Sequence, residues 1–290
     1  MLTPACPAPR CSADRSEAPG ELTVRTIERR WRTRKAMPEG RRHMADRSST
    51  AQTLDAMPSR SADVDKQPQH WDRRYSGAGA TGVSWYQPEP AMSLTLIDRL
   101  RVAKEAPVID VGGGASLLVD RLVGRGYTDL TVLDVSSTAL EIARRRLDDT
   151  VHVRWLHENL MTWEPQRRYA LWHDRAVFHF LTNAGERARY LTTMRHALSD
   201  SGSVIIATFA SDGPERCSGL PVARYDAADL ERLLDGFTVV ESSREEHVTP
   251  DGTVQPFTWV AAHRLPVAEV RAAAQGSSTG PRPPAFRKLI

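Results

Sequence analysis

The segment Val108–Ser116, with the sequence VIDVGGGAS, constrains the fold of this chain more than any other stretch. A short apolar run leads into three consecutive glycines, and an amphipathic pattern follows from Ser116 to Leu122. This order predicts a buried strand, a tight turn and a helix N-terminus. Glycine lets a ligand approach the backbone closely, and a helix start offers free N–H groups and a partial positive charge. The segment therefore predicts a nucleotide-type pocket.

The spacing of the glycines indicates which nucleotide is bound. Gly112 and Gly114 fit the dinucleotide fingerprint G-x-G-x-x-G, but Leu117 occupies its third glycine position. No Gly-Lys-Ser/Thr follows, so the phosphate-loop pattern is absent too. The run D-x-G-x-G that begins at Asp110 resembles motif I of the class I S-adenosylmethionine (SAM) methyltransferases. The resemblance implies that SAM is the cofactor and that Asp110, Gly112, Gly113 and Gly114 bind it.

A second apolar run, the residues 129–134, also ends in a carboxylate. Asp134 follows Gly114 by about 20 residues, the distance at which nucleotide-binding βαβ units place the acidic residue that binds the ribose hydroxyls. By the same resemblance, Asp134 and the adjacent Val135 contact the cofactor.

The next helix is predicted to start with a capping box, because Thr138 and Glu141 have the required spacing. The run Arg144–Arg146 is interpreted as its solvated face.

Composition limits the class of protein. With 290 residues, 40% hydrophobic residues and a net charge of +3, the chain is ordinary for a globular protein, and no nucleic-acid partner is expected. Three cysteines without disulfide or zinc spacing favour a reducing, cytoplasmic location and no metal site. No apolar run is long enough to cross a membrane. We expect a monomer or dimer.

The chain is divided by composition into three parts. Residues 1–66 are Arg/Ser/Pro-rich and lack apolar periodicity, which predicts a disordered N-terminal extension, and residues 266–290 are predicted to be a disordered tail. Residues 67–265 are predicted to form the SAM-dependent methyltransferase domain. Its helices and strands alternate and end in a hairpin with Asp251–Gly252 at the turn. The expected fold is α/β, a doubly wound three-layer sandwich with a seven-stranded, mostly parallel sheet and an antiparallel C-terminal strand.

The strand predicted over the residues 151–156 is followed by Glu158, Asn159 and Leu160. In the resembling family, an acidic or amide side chain at this place binds the adenine amino group. Asn159 occupies that place, with Glu158 as the rival, and Leu160 is expected to flank the adenine ring.

A cluster of ionisable residues follows the fourth predicted strand, at the edge of the sheet where ligands bind in parallel sheets. By resemblance this is motif IV, with His173, Asp174 and His179 as catalytic candidates, His173 also near the cofactor, and Arg175 and Phe178 near the acceptor. The alternative is that Asp174 and Arg175 pair with each other and that the histidines are packing residues.

The segment that opens the predicted domain is aromatic. A W-D-x-x-Y sequence that starts at Trp71 and includes Tyr75 precedes Ser-Trp85-Tyr86. This opening resembles that of several small class I methyltransferases, in which it caps the SAM pocket and lines the acceptor site. The alternative is that the four aromatic residues only pack the first helix onto the sheet.

A long irregular connection covers the residues 212–225, and connections of this length are often functional. Cys217 and Arg224 are its candidate substrate-binding residues, although Cys217 is equally compatible with a buried small hydrophobic role.

The pattern therefore predicts a SAM-dependent methyltransferase that moves a methyl group to a small molecule or a protein lysine by direct in-line displacement. His173 or His179 is the candidate general base, because histidine titrates near neutral pH. The alternatives are an NAD(P)-binding Rossmann oxidoreductase and a catalytically inactive SAM-fold partner module.

Overall fold

The computed structural model describes residues 67–147 and 151–266. The predicted N-terminal extension (1–66) and all but the first residue of the predicted tail (267–290) lie outside the described residues. None of the described helices is long and apolar enough to cross a membrane.

Helices and strands alternate along the described chain. The helices are α1 (Gln67–Ala78), α2 (Ala91–Arg99), α3 (Leu118–Gly124), α4 (Ser137–Arg144), α5 (Ala184–Ala197) and α6 (Ala227–Leu233), with a 3-10 helix at Phe178–Phe180. The strands are β1 (Val108–Val111), β2 (Leu130–Asp134), β3 (Val153–His157), β4 (Tyr169–Arg175), β5 (Leu198–Phe209), β6 (Arg216–Cys217), β7 (Leu220–Pro221), β8 (Phe237–Val248) and β9 (Val254–Arg264).

Seven of these strands form one sheet in the order β3-β2-β1-β4-β5-β9-β8. The strands β1 to β5 are parallel, whereas β9 runs antiparallel to both β5 and β8. The small β6–β7 pair forms a separate hairpin. This topology confirms the predicted seven-stranded, mostly parallel sheet with an antiparallel C-terminal strand.

Both faces of the sheet are covered. The strands β1 and β2 are buried along their whole length, as expected for parallel strands with helices on both sides. One apolar cluster joins the sheet to α2, α3 and α4, and a second joins it to α5 and α6. The three-layer arrangement follows from these two clusters.

The pairing register brings the polar strand ends to one edge. Val111 is opposite Asp174, and Asp134 is opposite His157. The chain order reverses between β1 and β4, because β2 and β3 extend the sheet on one side and β4 and β5 on the other. A crevice for a ligand is expected at such a switch point.

The predicted capping box of α4 is wrong. Ser136 is the N-cap residue, and its hydroxyl accepts a hydrogen bond from the Ala139 N–H at 3.1 Å. Because Ser136 precedes Thr138 and takes the cap position, Thr138 lies inside the first turn. Glu141 instead accepts a bond from Arg145 at 2.9 Å.

The sequence predicted that Arg146 belongs to a solvated helix face, and this prediction is wrong. Its guanidinium donates to both carboxylate oxygens of Asp120, at 3.0 and 2.8 Å. It also donates to the backbone carbonyls of Ala115 and Ser116. Arg146 therefore fixes the segment that connects the glycine turn to α3.

Candidate active site

Two adjoining cavities lie at the carboxyl edge of the sheet, next to the switch point. The main cavity has a volume of about 930 Å³, its open mouth included, and the glycine-side cavity has about 510 Å³. Four residues line both: Tyr75, Trp85, Gly112 and Arg175.

The glycine turn shapes the boundary between the two cavities. Gly112 has φ +65°, and a Cβ atom there would collide with the side chain of Val177. At Gly114 (φ +48°) a Cβ would lie 2.5 Å from the Tyr75 hydroxyl oxygen. Only glycine combines this backbone with such close neighbours. The predicted Gly113 lines the glycine-side cavity.

A buried row of hydrogen bonds supports the floor of the glycine-side cavity. The Asp110 Oδ1 atom lies 2.7 Å from His173 Nδ1, and His173 Nε2 lies 3.0 Å from the Ser93 hydroxyl. All three residues are buried, and all three line this cavity. Both ring nitrogens of His173 therefore have protein partners.

Asp134 presents a buried carboxylate to the main cavity. Its Oδ1 atom accepts the Ser136 N–H at 2.7 Å. Burial, with a contribution from the Asp110 carboxylate, raises the pKa of Asp134 to about 7. Its position at the end of β2 and its exposure to the cavity fit the predicted ribose contact.

The wall beside Asp134 consists of the residue after β2 and of the segment between β3 and β4. Val135, Glu158, Asn159, Leu160 and Met161 all line the main cavity. The Asn159 side-chain carbonyl accepts the Met161 N–H at 2.9 Å, so this amide already holds the loop. Both Asn159 and Glu158 reach the cavity, and the adenine contact remains a prediction for each.

The two cavities together fit the shape and chemistry of SAM. A nucleoside needs an apolar slot beside a carboxylate that can accept from the ribose hydroxyls, and the main cavity has Leu133 and Leu160 beside Asp134. The amino-acid part needs a second compartment with approachable backbone, which the glycine-side cavity supplies at Gly113 and Ser116. The residues present therefore fit this cofactor.

The helix α1 covers the site through the three residues of its W-D-x-x-Y sequence. Trp71 lines the main cavity, and Tyr75 lies against the glycine turn. Between them, the Asp72 carboxylate accepts bonds from the Ser136 hydroxyl at 2.7 Å and the Thr138 N–H at 3.1 Å. The helix is thereby docked onto the start of α4, next to Asp134.

Aromatic rings form the wall opposite the nucleoside end. Trp71 packs edge-on against Trp85 and Phe180, with centroid distances of 5.7 and 5.1 Å. The Trp85 indole N–H donates to the Tyr75 hydroxyl at 3.0 Å. These residues have both roles that the sequence left open, because they pack α1 and also line the cavity.

The β6–β7 hairpin closes the same end of the main cavity. Cys217 and Leu220 line the cavity, and Arg74 on α1 donates to the Ser218 carbonyl at 2.7 Å. Burial raises the pKa of the Cys217 thiol to about 11, so it is protonated at neutral pH. The substrate contact of Cys217 stays a prediction, and the thiol is not a ready nucleophile.

Five residues predicted at the site line neither cavity: Gly114, Arg224 and three at the end of β4 and in the turn after it. Asp174 accepts bonds from the Tyr190 hydroxyl at 2.6 Å and the Val177 N–H at 2.9 Å, and burial raises its pKa to about 6. Phe178 is fully buried, 4.8 Å from the Tyr190 ring. Both residues therefore hold the turn after β4, and the alternative pairing of Asp174 with Arg175 is also not found.

His179 is the third of these residues. Its Nδ1 atom accepts the Phe209 N–H at 3.3 Å, and its ring packs against Phe180 and Phe209. Burial, together with the nearby Arg175 charge, lowers its pKa to about 3. A group that remains neutral and faces the core is not positioned to take a proton from an acceptor.

Two predicted substrate residues lie elsewhere. The Arg224 guanidinium donates to the Gly213 carbonyl at 3.0 Å and pairs with Glu215, so it braces the long connection and does not reach either cavity. Tyr86 lines the glycine-side cavity only. We therefore do not retain Arg224 as an acceptor contact.

Sequence reasoning missed several lining residues. Phe180 and Leu181 line the main cavity, whereas Phe178 faces the core. The 3-10 helix sets these side-chain directions, and no periodicity in the sequence predicts them. Ser93 was also missed. A small polar residue on the buried face of α2, beside Leu94 and Leu96, was a signal that could have identified it.

Comparison with known proteins agrees with this geometry. Residues 108–202 match the family model "Methyltransferase domain". Malonyl-[acyl-carrier protein] O-methyltransferase 1 of Ilyobacter polytropus is 20% identical over 136 residues, which cover 45% of this chain and 50% of the relative. The chain thus spans about half the length of the curated relative that it matches.

Solved structures share the fold over most of the described chain. A SAM-dependent methyltransferase from Anabaena variabilis is 18% identical, covers 73% of this chain and 100% of its own, and has a TM-score of 0.55. The 1,6-didemethyltoxoflavin-N1-methyltransferase of Burkholderia thailandensis, solved with 1,6-didemethyltoxoflavin and S-adenosylhomocysteine, is 21% identical. It covers 74% of this chain and 93% of its own, with a TM-score of 0.53.

Proposed function

We infer that this chain is a class I SAM-dependent methyltransferase. The observation that carries the inference is the pair of cavities joined at Gly112, one with the Asp134 carboxylate and the other with the glycine turn. The match of residues 108–202 to a methyltransferase domain supports it independently. Leu117 and the absence of a third glycine disfavour the alternative NAD(P) oxidoreductase.

We further propose that the methyl acceptor is a small molecule. The acceptor end of the main cavity is covered by Trp71, Trp85 and the hairpin residues Cys217 and Leu220. A compound of metabolite size fits under this cover, whereas a protein lysine would have to enter past it. A lysine ammonium would also meet the charge of Arg175, which repels it in a poorly solvated site.

The names of the relatives are compatible with a small acceptor. They differ in the acceptor atom and therefore do not identify it for this chain. The curated relative is an O-methyltransferase, and the toxoflavin enzyme is an N-methyltransferase solved with its small-molecule namesake bound. The acceptor atom must therefore be argued from the residues of this chain.

When bound, SAM supplies a methyl group that is already activated by its sulfonium centre. The contribution of the protein is binding, orientation and exclusion of water. Asp134 and the glycine turn would hold the cofactor, while Trp71, Trp85 and Phe180 exclude water and orient the acceptor. Such positioning can lower a barrier by about 7–11 kcal/mol.

The proposal is tested by titrating SAM and, separately, NAD(H) and NADP(H) into the purified protein in a calorimeter. We expect SAM to bind and the dinucleotides not to bind. In Asp134→Ala the SAM affinity should fall at least about tenfold, since charge-assisted hydrogen bonds are lost. The matched control is Asp98→Ala on α2, which removes the exposed ion pair between Asp98 and Arg125. Failure to bind SAM at millimolar concentration would contradict the inference.

The acceptor class is tested by incubating the protein with methyl-labelled SAM and either a metabolite extract or a protein extract. Label that enters the small-molecule fraction supports the proposal. Label that enters lysine side chains only would contradict it.

A further inference from the structure

Arg175 is a partly buried cation, and two of its three guanidinium nitrogens have no partner among the described residues. Its Nη1 atom donates to the Trp85 carbonyl at 3.0 Å, but Nε and Nη2 are buried and have no partner among the described residues. Burial lowers the pKa of Arg175 to about 10, so the group stays charged at neutral pH. Buried charges in proteins are normally paired. Because Arg175 also lines both cavities, its unpaired donors indicate an anionic ligand.

Two acidic side chains lie near this guanidinium, but both are bound elsewhere. Glu245 accepts bonds from Gln87 at 2.8 Å and from the Trp259 indole N–H at 3.0 Å. Asp110 pairs with His173 at 2.7 Å. Both carboxylates help to keep the guanidinium charged, but neither forms an ion pair with it within the described part of the chain, so its Nε and Nη2 donors remain unpaired.

The backbone conformation next to Arg175 supports its position on the cavity wall. Ala176, directly after the arginine, has φ +73°, a conformation that is unfavourable for a residue with a side chain. Its N–H is fixed by a bond to the Ala207 carbonyl at 2.9 Å, and the Arg175 guanidinium lies 4.6 Å from the Phe257 ring centroid. The strand end is therefore held in a strained turn with the arginine on the cavity wall.

The acceptor end of the main cavity has no general base among the described residues that line it. Burial raises the pKa values of Tyr75 and Cys217, so both are protonated at neutral pH. Asp134 and Glu158 line the nucleoside end. An acceptor that reacts here must therefore arrive with its lone pair free.

We propose that Arg175 binds a carboxylate of the acceptor, and that this carboxylate is the group methylated, to give a methyl ester. This inference rests on the proposed function and names its substrate class. A carboxylate is ionised at neutral pH without a base, and a guanidinium binds it through paired donors. The aromatic wall of Trp71, Trp85 and Phe180 favours an acid with an apolar body.

The position of Arg175 fits the transfer. It lines both cavities, and the sulfonium joins the nucleoside and amino-acid parts that these cavities suit. The carboxylate oxygen donates an electron pair to the methyl carbon while the carbon–sulfur bond breaks and leaves its pair on sulfur. One positive and one negative charge disappear, and no proton is released. The reaction therefore needs neither base nor acid from the protein.

The test compares acids with their amides. Benzoate, phenylacetate and octanoate, each with its primary amide, are titrated into the protein saturated with S-adenosylhomocysteine, and tryptophan fluorescence reports binding. Benzylamine serves as the cationic probe. We expect acids to bind at least about tenfold more tightly than amides, the worth of a charge-assisted contact, and benzylamine not to bind. With SAM in place of S-adenosylhomocysteine, mass spectrometry should detect the methyl ester of a bound acid.

The variants isolate the guanidinium. Arg175→Gln should lose the preference for acids, and Arg175→Lys should keep part of it. In both, S-adenosylhomocysteine should bind within about threefold of wild type, which is a small difference in binding free energy. Arg232→Gln, which removes an exposed pair with Asp229 on α6, is the control for a lost surface arginine.

Equal binding of acids and amides would overturn the proposal, and so would a preference for benzylamine. It would also be overturned if no acid binds at about 10 mM, which corresponds to very weak affinity, or if the bound acids yield no ester. A large loss of S-adenosylhomocysteine affinity in Arg175→Gln, with acid preference intact, would instead assign Arg175 to the carboxylate of the cofactor. Wild-type protein that binds no S-adenosylhomocysteine would contradict the proposed function itself, so the two failures are distinguishable.

Discussion

At the scale of single residues, the site consists of polar groups that the fold buries at a cost. Asp134 is buried with a raised pKa, and Arg175 is partly buried with two buried, unused donors. Each is unfavourable in the free protein and becomes favourable once a partner with the right hydrogen bonds arrives. The sequence identified both residues, because each stands at the end of an apolar strand.

The pKa of Asp134 predicts a pH-dependent affinity. The ionised carboxylate accepts from the ribose hydroxyls, and below about pH 7 it becomes protonated. SAM affinity should therefore weaken roughly tenfold from about pH 8 to about pH 6. Calorimetry of wild type against Asp134→Asn isolates this group, because titration of the ligand is common to both proteins. A parallel pH dependence in both proteins would contradict the prediction.

The stability of the ligand-free protein should respond to the same carboxyl group. Because its folded pKa lies above the unfolded value of 3.8, the native state holds the extra proton between these values, and stability falls as pH rises from about 4 to about 7. Asp134→Asn should flatten this part of the stability curve, measured by denaturant unfolding at several pH values. Asp200→Asn, an exposed change near the start of β5, should leave it intact.

At the scale of elements, helix α1 connects sequence to site most directly. Its W-D-x-x-Y sequence was expected to cap the pocket, and the structure adds a separate contact for each residue. Trp71 lines the main cavity, Asp72 binds the start of α4 and Tyr75 meets Gly114. The aspartate role was not predictable, because its partners Ser136 and Thr138 are distant in sequence and the cap of α4 was predicted two residues too late.

Asp72→Ala is expected to loosen α1 without disrupting the sheet. Loss of a capping carboxylate costs about 0.5–2 kcal/mol, so the midpoint of thermal unfolding should fall by a few degrees, and SAM should bind less tightly because α4 and Asp134 lose a brace. Thermal unfolding and calorimetry measure both effects. An unchanged SAM affinity would contradict the role of Asp72, and Glu89→Ala, at an exposed ion pair with Arg121, is a comparison for a lost surface charge.

The elements also show where sequence reasoning ends. The strands were predictable because β1 and β2 are continuous apolar runs, and the hairpin of β8 and β9 because of its Asp-Gly turn. The segment after β4 was not, because a 3-10 helix there sets the direction of each side chain. Phe178 and His179 are buried in the core, whereas Phe180, between them and Leu181, lines the cavity. Composition alone could not distinguish these three neighbours.

At the scale of the whole molecule, the two apolar clusters support one sheet edge from opposite sides. Cluster residues of α2 and α3 lie on one face and those of α5 and α6 on the other. The site sits at the ends of β1 and β4, where the chain order reverses, so its lining residues come from both halves of the sheet. Binding should therefore stabilise the fold as a unit.

We expect S-adenosylhomocysteine at 100 times its dissociation constant to stabilise the folded protein by about 2.7 kcal/mol. For a domain of this size that corresponds to a rise in the unfolding midpoint of roughly 5 to 10 °C. Differential scanning calorimetry measures the rise, and the shift should shrink in Asp134→Ala. A midpoint that does not move with ligand concentration would contradict the linkage.

The docking of α1 over both cavities has a consequence for turnover. An acceptor held beside Trp71 and Trp85 has to leave past these rings, so we expect departure of the methylated product, and not bond exchange, to set the pace when acceptor is abundant. The fluorescence of Trp71 and Trp85 should then change once per catalytic cycle, and the rate of this change should fall in viscous solvent.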